Sequence, residues 1–595
     1  MISSFSLPSL KSNLLVRWGV FVGLGLISLC GLSQTLTPFT GNESISYPEL
    51  IAAYTTLSDE YPHAQLLEIG QTDIGEPLHL FVINSDQSFE LDHLADAKVV
   101  LFINNGIHPG EPCGVDASLK LARNLLTDSE LFRPLLDKVT VCIIPMYNVG
   151  GALNRGCCSR ANQNGPDAYG FRGNARNLDL NRDFIKCDSR NAEAFSRAFS
   201  LIGPHIMVDT HTSNGADYQY TMTMITSQCD KATRVLGNYM KDEMNPAVYE
   251  MMKQSGWEMT PYVHTMGRTP ETGILDFLET PRYSTGYAAL HNCMGFTSET
   301  HMFKPFADRV ESTYQFELAL MHFAHDHADE IILLKRKADK ETAHQKEFAL
   351  QWELDTTQFE ELMFKGFEHQ FRESEVTGKQ RLAYLREKPS TFPVKYYNRY
   401  KASVHVEAPE FYIVPQAWRE VIERLQWNGV EMFRLEEDME LQVEAYHIAH
   451  YESQDKPYEG HYLHHNVQVE TSREPVVFHR GDYVIPTNQA ANRLIVETLE
   501  PQGVDSYFAW NFFDSMLQQK EWFSDYVFED KAEQMLLDNP DLREEFEEKR
   551  ASDSDFASNH WWQLYWLYQH SDNYEHTFNR YPVFRFHGAE SDLHQ

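Results

Sequence analysis

Between residues 45 and 335, short unbroken apolar runs alternate with segments of helical spacing, and this most restricts what the chain can build. KVVLFIN (98–104), VTVCIIPMY (139–147) and PHIMVDTH (204–211) are apolar on both strand faces. A strand of that kind must be covered on both sides, which happens when helices cross over a parallel sheet. The intervening VDASLKLARNLL (115–126) has the three-and-four spacing of a helix that lays one stripe on such a sheet. EPLHLFVIN (76–84) and MGFTSET (294–300) read as further strands, and 310–337 as a long closing helix. The expectation is an α/β, doubly wound, mostly parallel sheet over 45–335, followed by a mixed α+β region. In that second half, residues 336–389 are charged and read as a helical connector. Residues 390–500 are rich in β-formers, and 501–595 are aromatic and acidic with helical spacing.

Two features place the chain in the cell. Lys11 and Arg17 precede an uncharged run from Trp18 to Leu32, and Gly31 and Ser33 supply small residues before Gln34. A basic flank, a short apolar run and a small-residue exit form the secretory pattern. Residues 1–33 therefore read as a signal peptide, the mature protein as soluble and exported, periplasmic or extracellular. A retained amino-terminal anchor is the alternative, since the run is only somewhat shorter than the roughly 20 residues of a membrane span. The formal net charge of −35 would repel nucleic acid and anionic membrane surfaces, so neither is an expected partner. Of eight cysteines, seven would follow the cleavage point and none lies after Cys293, which is no disulfide scaffold. Cys157 and Cys158 are read as free thiols.

The chemistry concentrates at strand ends. His108-Pro109-Gly110-Glu111 follows the strand ending at Asn104, and a tight Pro-Gly loop lets imidazole and carboxylate converge on one cation. Alone, this is a polar turn before a helix. His211 closes another buried strand about a hundred residues on, and two His with one Glu form the three-ligand set of an open zinc site. In doubly wound sheets, ligands gather beyond the carboxyl ends of strands, where both segments end. Asn181-Arg182, within DLNRDF, suits a planar carboxylate, because a guanidinium forks onto both oxygens. A surface Arg paired with Asp179 or Asp183 is the plainer alternative. Glu299 ends a strand-like segment and is a candidate general base. Most of the 26 histidines, including His464-His465 and His325/His327, match no ligand motif.

In this order and spacing, HPGE, DLNRDF, a strand-end His and a late strand-end Glu resemble the zinc carboxypeptidases of the carboxypeptidase A type. SYPELIAAYTTLSDEYP and LLEIGQTDIGEPLHLFVI are similar to that domain's first helix and strands. The resemblance implies one zinc per chain on His108, Glu111 and His211. It implies Asn181 and Arg182 as the binders of a substrate's terminal carboxylate, and Glu299 as the catalytic glutamate. FRGNARNLDLNR has the length of the family's stretch that begins with an aromatic-Arg pair, which puts Arg172 at the arginine that polarises the scissile carbonyl, with Arg160 and Arg176 as competitors. Tyr283, in preference to Tyr287, takes the place of the mobile tyrosine. The implied function is an exported metallocarboxypeptidase acting on peptides or proteins with a free carboxyl end. An amidohydrolase for N-acyl amino acids or cell-wall peptides, or a non-catalytic peptide-binding module, are the alternatives. After Glu299 the sequence departs from the family, with Thr300-His301-Met302-Phe303-Lys304, and the second half resembles no accessory domain of it.

Overall fold

The structure, a computed structural model, describes residues 39–593. The signal reading of 1–33 falls outside them. No helix among the described residues is long and apolar enough to cross a membrane.

The chain opens with helix α1 (Tyr47–Glu60), started by a capping box in which Ser46 and Glu49 satisfy each other's end groups. Strands β1 (Ala64–Gln71), β2 (Pro77–Ile83) and β3 (Val99–Asn104) follow, then α2 (Cys113–Thr127) and β4 (Val139–Ile144). After α3 (Arg190–Ile202) come β5 (Ile206–Ser213), β6 (Met222–Thr226), the two-residue β7 (Thr260–Pro261) and β8 (Met294–His301). These eight strands form one sheet in the order β1-β2-β4-β3-β5-β8-β6-β7. The centre, β4-β3-β5-β8, is parallel, as expected from its two-sided apolar strands. The sheet as a whole is mixed: β6 and β7 also pair in parallel, whereas β1 and β2 pair antiparallel, β2 runs antiparallel to β4, and β6 runs antiparallel to β8.

Each central strand splits its side chains between two cores. Leu101 and Ile103 of β3 face a cluster shared with α2 and with the long α4 (Phe306–Asp326). Val100 and Phe102 face the other, with Phe195 and Phe199 of α3. That second core does not end at residue 335. Phe348, Tyr412, Val421, Leu494, Trp510 and Tyr581 belong to the same buried cluster. The second half therefore covers one face of the eight-stranded sheet.

The expected helical connector is corrected. Helix α5 (Ala328–His344) ends at the chain's turn into strands β9 (Glu347–Leu354), β10 (Glu360–Glu373) and β11 (Gln380–Tyr397). β10 and β11 form a long antiparallel ribbon, much of which is open to solvent on both faces. With little apolar face to bury, it carries charges where strands normally alternate, and such a segment has no period-two signal to read. Beyond β12 (Tyr400–Glu407), β13 (Phe411–Val414) and α6 (Arg419–Trp427) comes a second long hairpin, β14 (Met439–Ser453) with β15 (His464–Phe478). β13, β14, β15, β16 (Tyr483–Pro486), β17 (Phe584–Phe586) and the short strand Phe433–Arg434 form a six-stranded sheet. Helices α7 (Asn492–Leu499), α8 (Asp525–Asp538), α9 (Pro540–Ser552) and α10 (His560–Gln569) complete the second half. Cys157 and Cys158 are joined in a vicinal disulfide, contrary to the free thiols expected.

Candidate metal and catalytic site

The carboxyl ends of β3, β5 and β8 lie side by side, and parallel register sets Glu299 of β8 directly beside His211 of β5. His108 and Glu111 sit in the loop that leaves β3. One donor atom from each of His108, Glu111 and His211 lies within 4.8 Å of the others, and all three residues are buried. The two imidazoles present Nδ1 to Glu111, at 3.4 Å from His108 and 3.3 Å from His211. Each ring's far nitrogen is held by a carboxylate: His108 Nε2 by Asp179 at 2.9 Å, His211 Nε2 by Asp209 at 2.8 Å. Both rings are thus oriented with one nitrogen free to ligate, the outer-shell arrangement that metal-binding histidines use. Two nitrogens and one carboxylate, converging and fixed from behind, fit a zinc ion with one coordination position left open.

Burial pushes Glu111 up, but Arg160 and His108 outweigh it and hold the carboxylate well below its ordinary range. Arg160 Nη2 donates to Glu111 Oε1 at 2.7 Å, and the Thr212 backbone N–H donates to Oε2 at 2.8 Å. Glu299 is driven the other way. Burial raises it to about 8, partly offset by His211. Its Oε2 has no hydrogen-bond partner among the described residues. The contact with Lys304 that would make Glu299 a plain ion-pair residue is not made, since Lys304 donates to the carbonyls of Tyr218 and Gln219.

A cavity of about 250 Å³ joins these groups to Arg172, Asn181, Arg182 and Tyr283, so every sequence-predicted site residue lines one space. Arg172 grips Asp179 with Nε at 3.0 Å and Nη2 at 2.8 Å, while Nη1 points to His108 at 3.4 Å. Of its competitors, Arg160 is engaged by Glu111, and Arg176 donates to the Asp188 carbonyl away from the cavity. Asn181 and Arg182 occupy a short 3-10 turn whose start is capped by Asp179. The Asn181 side-chain oxygen is buried without a partner among the described residues. Arg182 lies over the Tyr283 ring at 4.5 Å. Tyr287 is fully buried and donates to Asn428 at 2.6 Å, which leaves Tyr283 as the cavity tyrosine of that pair.

Four contributors escaped sequence reading. Asp179 and Asp209 orient the histidines; Asp179 stood in plain view two residues before Asn181, but only its contact with His108 reveals the role. Tyr262 and Glu279 line the cavity, and burial holds the Glu279 carboxyl well above its ordinary range, with Oε2 unpartnered among the described residues. No local pattern marks them.

Residues 50–301 match the family model described as zinc carboxypeptidase. Carboxypeptidase 2 of Trichophyton rubrum is 22% identical over 442 residues, covering 71% of this chain and 76% of that protein. Carboxypeptidase 2 of Trichophyton equinum is 23% identical over 429 residues, covering 69% and 73%. Seventy-one per cent of the chain is more than residues 50–301 supply, so the likeness runs into the second half. Among solved structures, a putative carboxypeptidase A from Shewanella denitrificans OS-217 aligns over 49% of this chain and 70% of its own, at 19% identity and a TM-score of 0.37.

Proposed function

We propose, for a chain that carries a zinc carboxypeptidase domain over residues 50–301 and is a zinc-dependent hydrolase of that family, that it is exported and removes the terminal residue from peptides with a free carboxyl end. One observation carries the reading. A single cavity gathers the two-His-one-Glu cluster, a buried glutamate with an unpartnered oxygen, and an Asn-Arg pair.

One zinc ion per chain, held by His108, Glu111 and His211, supplies Lewis acidity toward the scissile carbonyl and toward water. The chain's own groups do the rest. Arg182 and Asn181 receive the substrate's terminal carboxylate and so bring the last peptide bond to the cluster. In its ionised form Glu299, whose Oε2 has no hydrogen-bond partner among the described residues, accepts the proton of the attacking water and delivers it to the leaving amine nitrogen. Arg172 offers N–H donors to the oxygen on which negative charge develops. Tyr283 closes the carboxylate end of the cavity over Arg182.

Product analysis of peptides incubated with the zinc-loaded protein tests the reaction: each product should be shorter by one carboxyl-terminal residue. Release of acyl groups from N-acyl amino acids with intact peptides would favour an amidohydrolase instead. Glu299→Gln tests the mechanism. Zinc content and KM should hold near wild type while kcat falls by roughly 10²-fold or more, the scale of a lost acid–base group. Wild-type turnover in Glu299→Gln with zinc confirmed would remove Glu299 from the chemistry. Amino-terminal sequencing from the native host tests export, with a start near Gln34 expected.

A further inference from the structure

The connection between β14 and β15 reaches back across the molecule to the carboxylate end of the cavity. Its tip is a two-residue turn closed by paired backbone bonds, Tyr458 N–H to His461 O at 2.7 Å and His461 N–H to Tyr458 O at 3.0 Å. Glu459 (φ 50°) and Gly460 (φ 87°) both take left-handed conformations, as a primed hairpin turn requires. At this tip Glu459 Oε2 accepts the backbone N–H of Asp179 at 2.7 Å, a charge-assisted bond across 280 residues of sequence. Asp179 is the residue whose carboxylate holds His108 and Arg172.

The tip is itself held firmly. Tyr458 stacks on Trp510 with ring centroids 6.2 Å apart, and the Arg282 guanidinium lies 5.5 Å from the Tyr458 ring while its Nε donates to Asp505 at 2.8 Å. His461 pairs with Asp188 at 2.7 Å. Trp510 and Asp505 are buried in the core that the second half shares with the catalytic sheet. A turn fixed this way cannot swing as a lid. It can only set the position of what it touches.

We propose that the Tyr458–His461 turn is a positioning element of the active site, contributed by the second half of the chain. Glu459 fixes the Asp179 main chain, and through Asp179 the His108 imidazole and the Arg172 guanidinium. Glu459 lies outside the residues that line the cavity, so it is a positioning residue rather than a catalytic one. The inference rests on the roles proposed above for His108 and Arg172, and it assigns the second half a part in the reaction beyond covering the sheet.

Glu459→Asp and Glu459→Gln separate reach from charge. Aspartate keeps the charge but withdraws the acceptor by one methylene; glutamine keeps an acceptor oxygen at the same reach. In the full-length zinc protein, Glu459→Asp should bind zinc about three- to tenfold more weakly in chelator competition, below the range for direct ligand partners, and should lower kcat with little change in KM. Glu459→Gln should restore both. A merely structural turn would instead lower the melting temperature and leave the KM-against-kcat split unmoved. Wild-type zinc competition and kinetics in Glu459→Asp, or equal loss in the Asp and Gln variants, would overturn the Glu459 role. A wild-type protein that cleaves no peptide would defeat the proposed function, while zinc competition would still read the Glu459 contact.

Discussion

Arg182 allows the sharpest quantitative test, because its contribution can be separated from everything else in the cavity. Its guanidinium is about one-fifth exposed, stacked 4.5 Å over Tyr283 and 3.9 Å from the Asp179 carboxylate. Nη1 is already committed to the Asn181 carbonyl at 2.7 Å, so the other edge is the one left for substrate. A carboxylate about 3 Å away, at an effective dielectric constant of about 20, gains roughly 5 kcal/mol in Coulomb energy. Desolvation of the substrate carboxylate takes back a substantial part, leaving about 2–4 kcal/mol, in line with one or two charge-assisted hydrogen bonds. In rate terms that is roughly 30- to 1,000-fold in kcat/KM. Arg182→Met keeps the apolar stem and removes charge and donors. It also deprives Tyr283 of its cation partner, worth about 0.5–2 kcal/mol, and Asp179 of a positive neighbour. Those side effects fall on every substrate alike. The assay is therefore a cycle of two enzymes against two peptides, one with a free carboxyl end and its carboxyamide twin. Common effects cancel, and the residual coupling is the guanidinium–carboxylate term. The loss should appear mainly in KM for the free-acid peptide, with little change for the amide. Arg182→Lys, which keeps charge but not the planar fork, should fall between, about tenfold down. A coupling energy near zero, with both peptides losing equally, would refute the carboxylate role and leave Arg182 as a structural partner of Tyr283 and Asp179.

Three further outcomes follow from the same structure. His211→Ala should lose most of its zinc by elemental analysis, because the remaining His-Glu pair is a poor site; full metal and full activity would remove His211 from the ligand set. Asp116 is raised to about 6 by burial, with hydrogen bonds from Ser44 and the Ile45 backbone working against it. A raised folded-state value means its contribution to stability is fully present below about pH 4 and lost as pH rises through about 6, a difference of up to roughly 3 kcal/mol. Asp116→Asn, which can keep both contacts, should therefore flatten the fall in unfolding free energy between pH 4.5 and 7.5 measured by urea denaturation; an unchanged slope would refute the burial argument. Truncation after His344 should yield an insoluble or non-cooperative domain, because it strips the second core from one sheet face; a soluble fragment with a sharp melt would show that the first half folds alone.

The parts of the site legible in sequence are those carried by short-range patterns. His108 and Glu111 are brought together by a four-residue loop, and the strands that deliver His211 and Glu299 are marked by apolar runs that can only lie inside a covered sheet. Asn181 and Arg182 are neighbours whose chemistry suits one anion wherever they fold. Burial, which the sequence does not display, separates the two tyrosines: Tyr287 is spent in the core against Asn428, whereas Tyr283 lines the cavity. The antiparallel edges of the sheet were not legible, because a covered strand looks apolar whichever way its neighbour runs. Nor was the β10–β11 ribbon. It exposes Met363 and Phe371 and carries charges on both faces, so neither alternation nor amphipathic spacing distinguishes it from a solvated helix. What only the tertiary structure decided is how the two halves meet. Asp179 acquires its part by touching His108, and Glu459 acquires its part by touching Asp179 from 280 residues away. A single hydrogen bond at that separation leaves no periodicity, composition or spacing in the chain. It exists because Trp510, Tyr581 and their neighbours bury the same sheet face as Phe102, and burying that face sets the turn down beside Asp179.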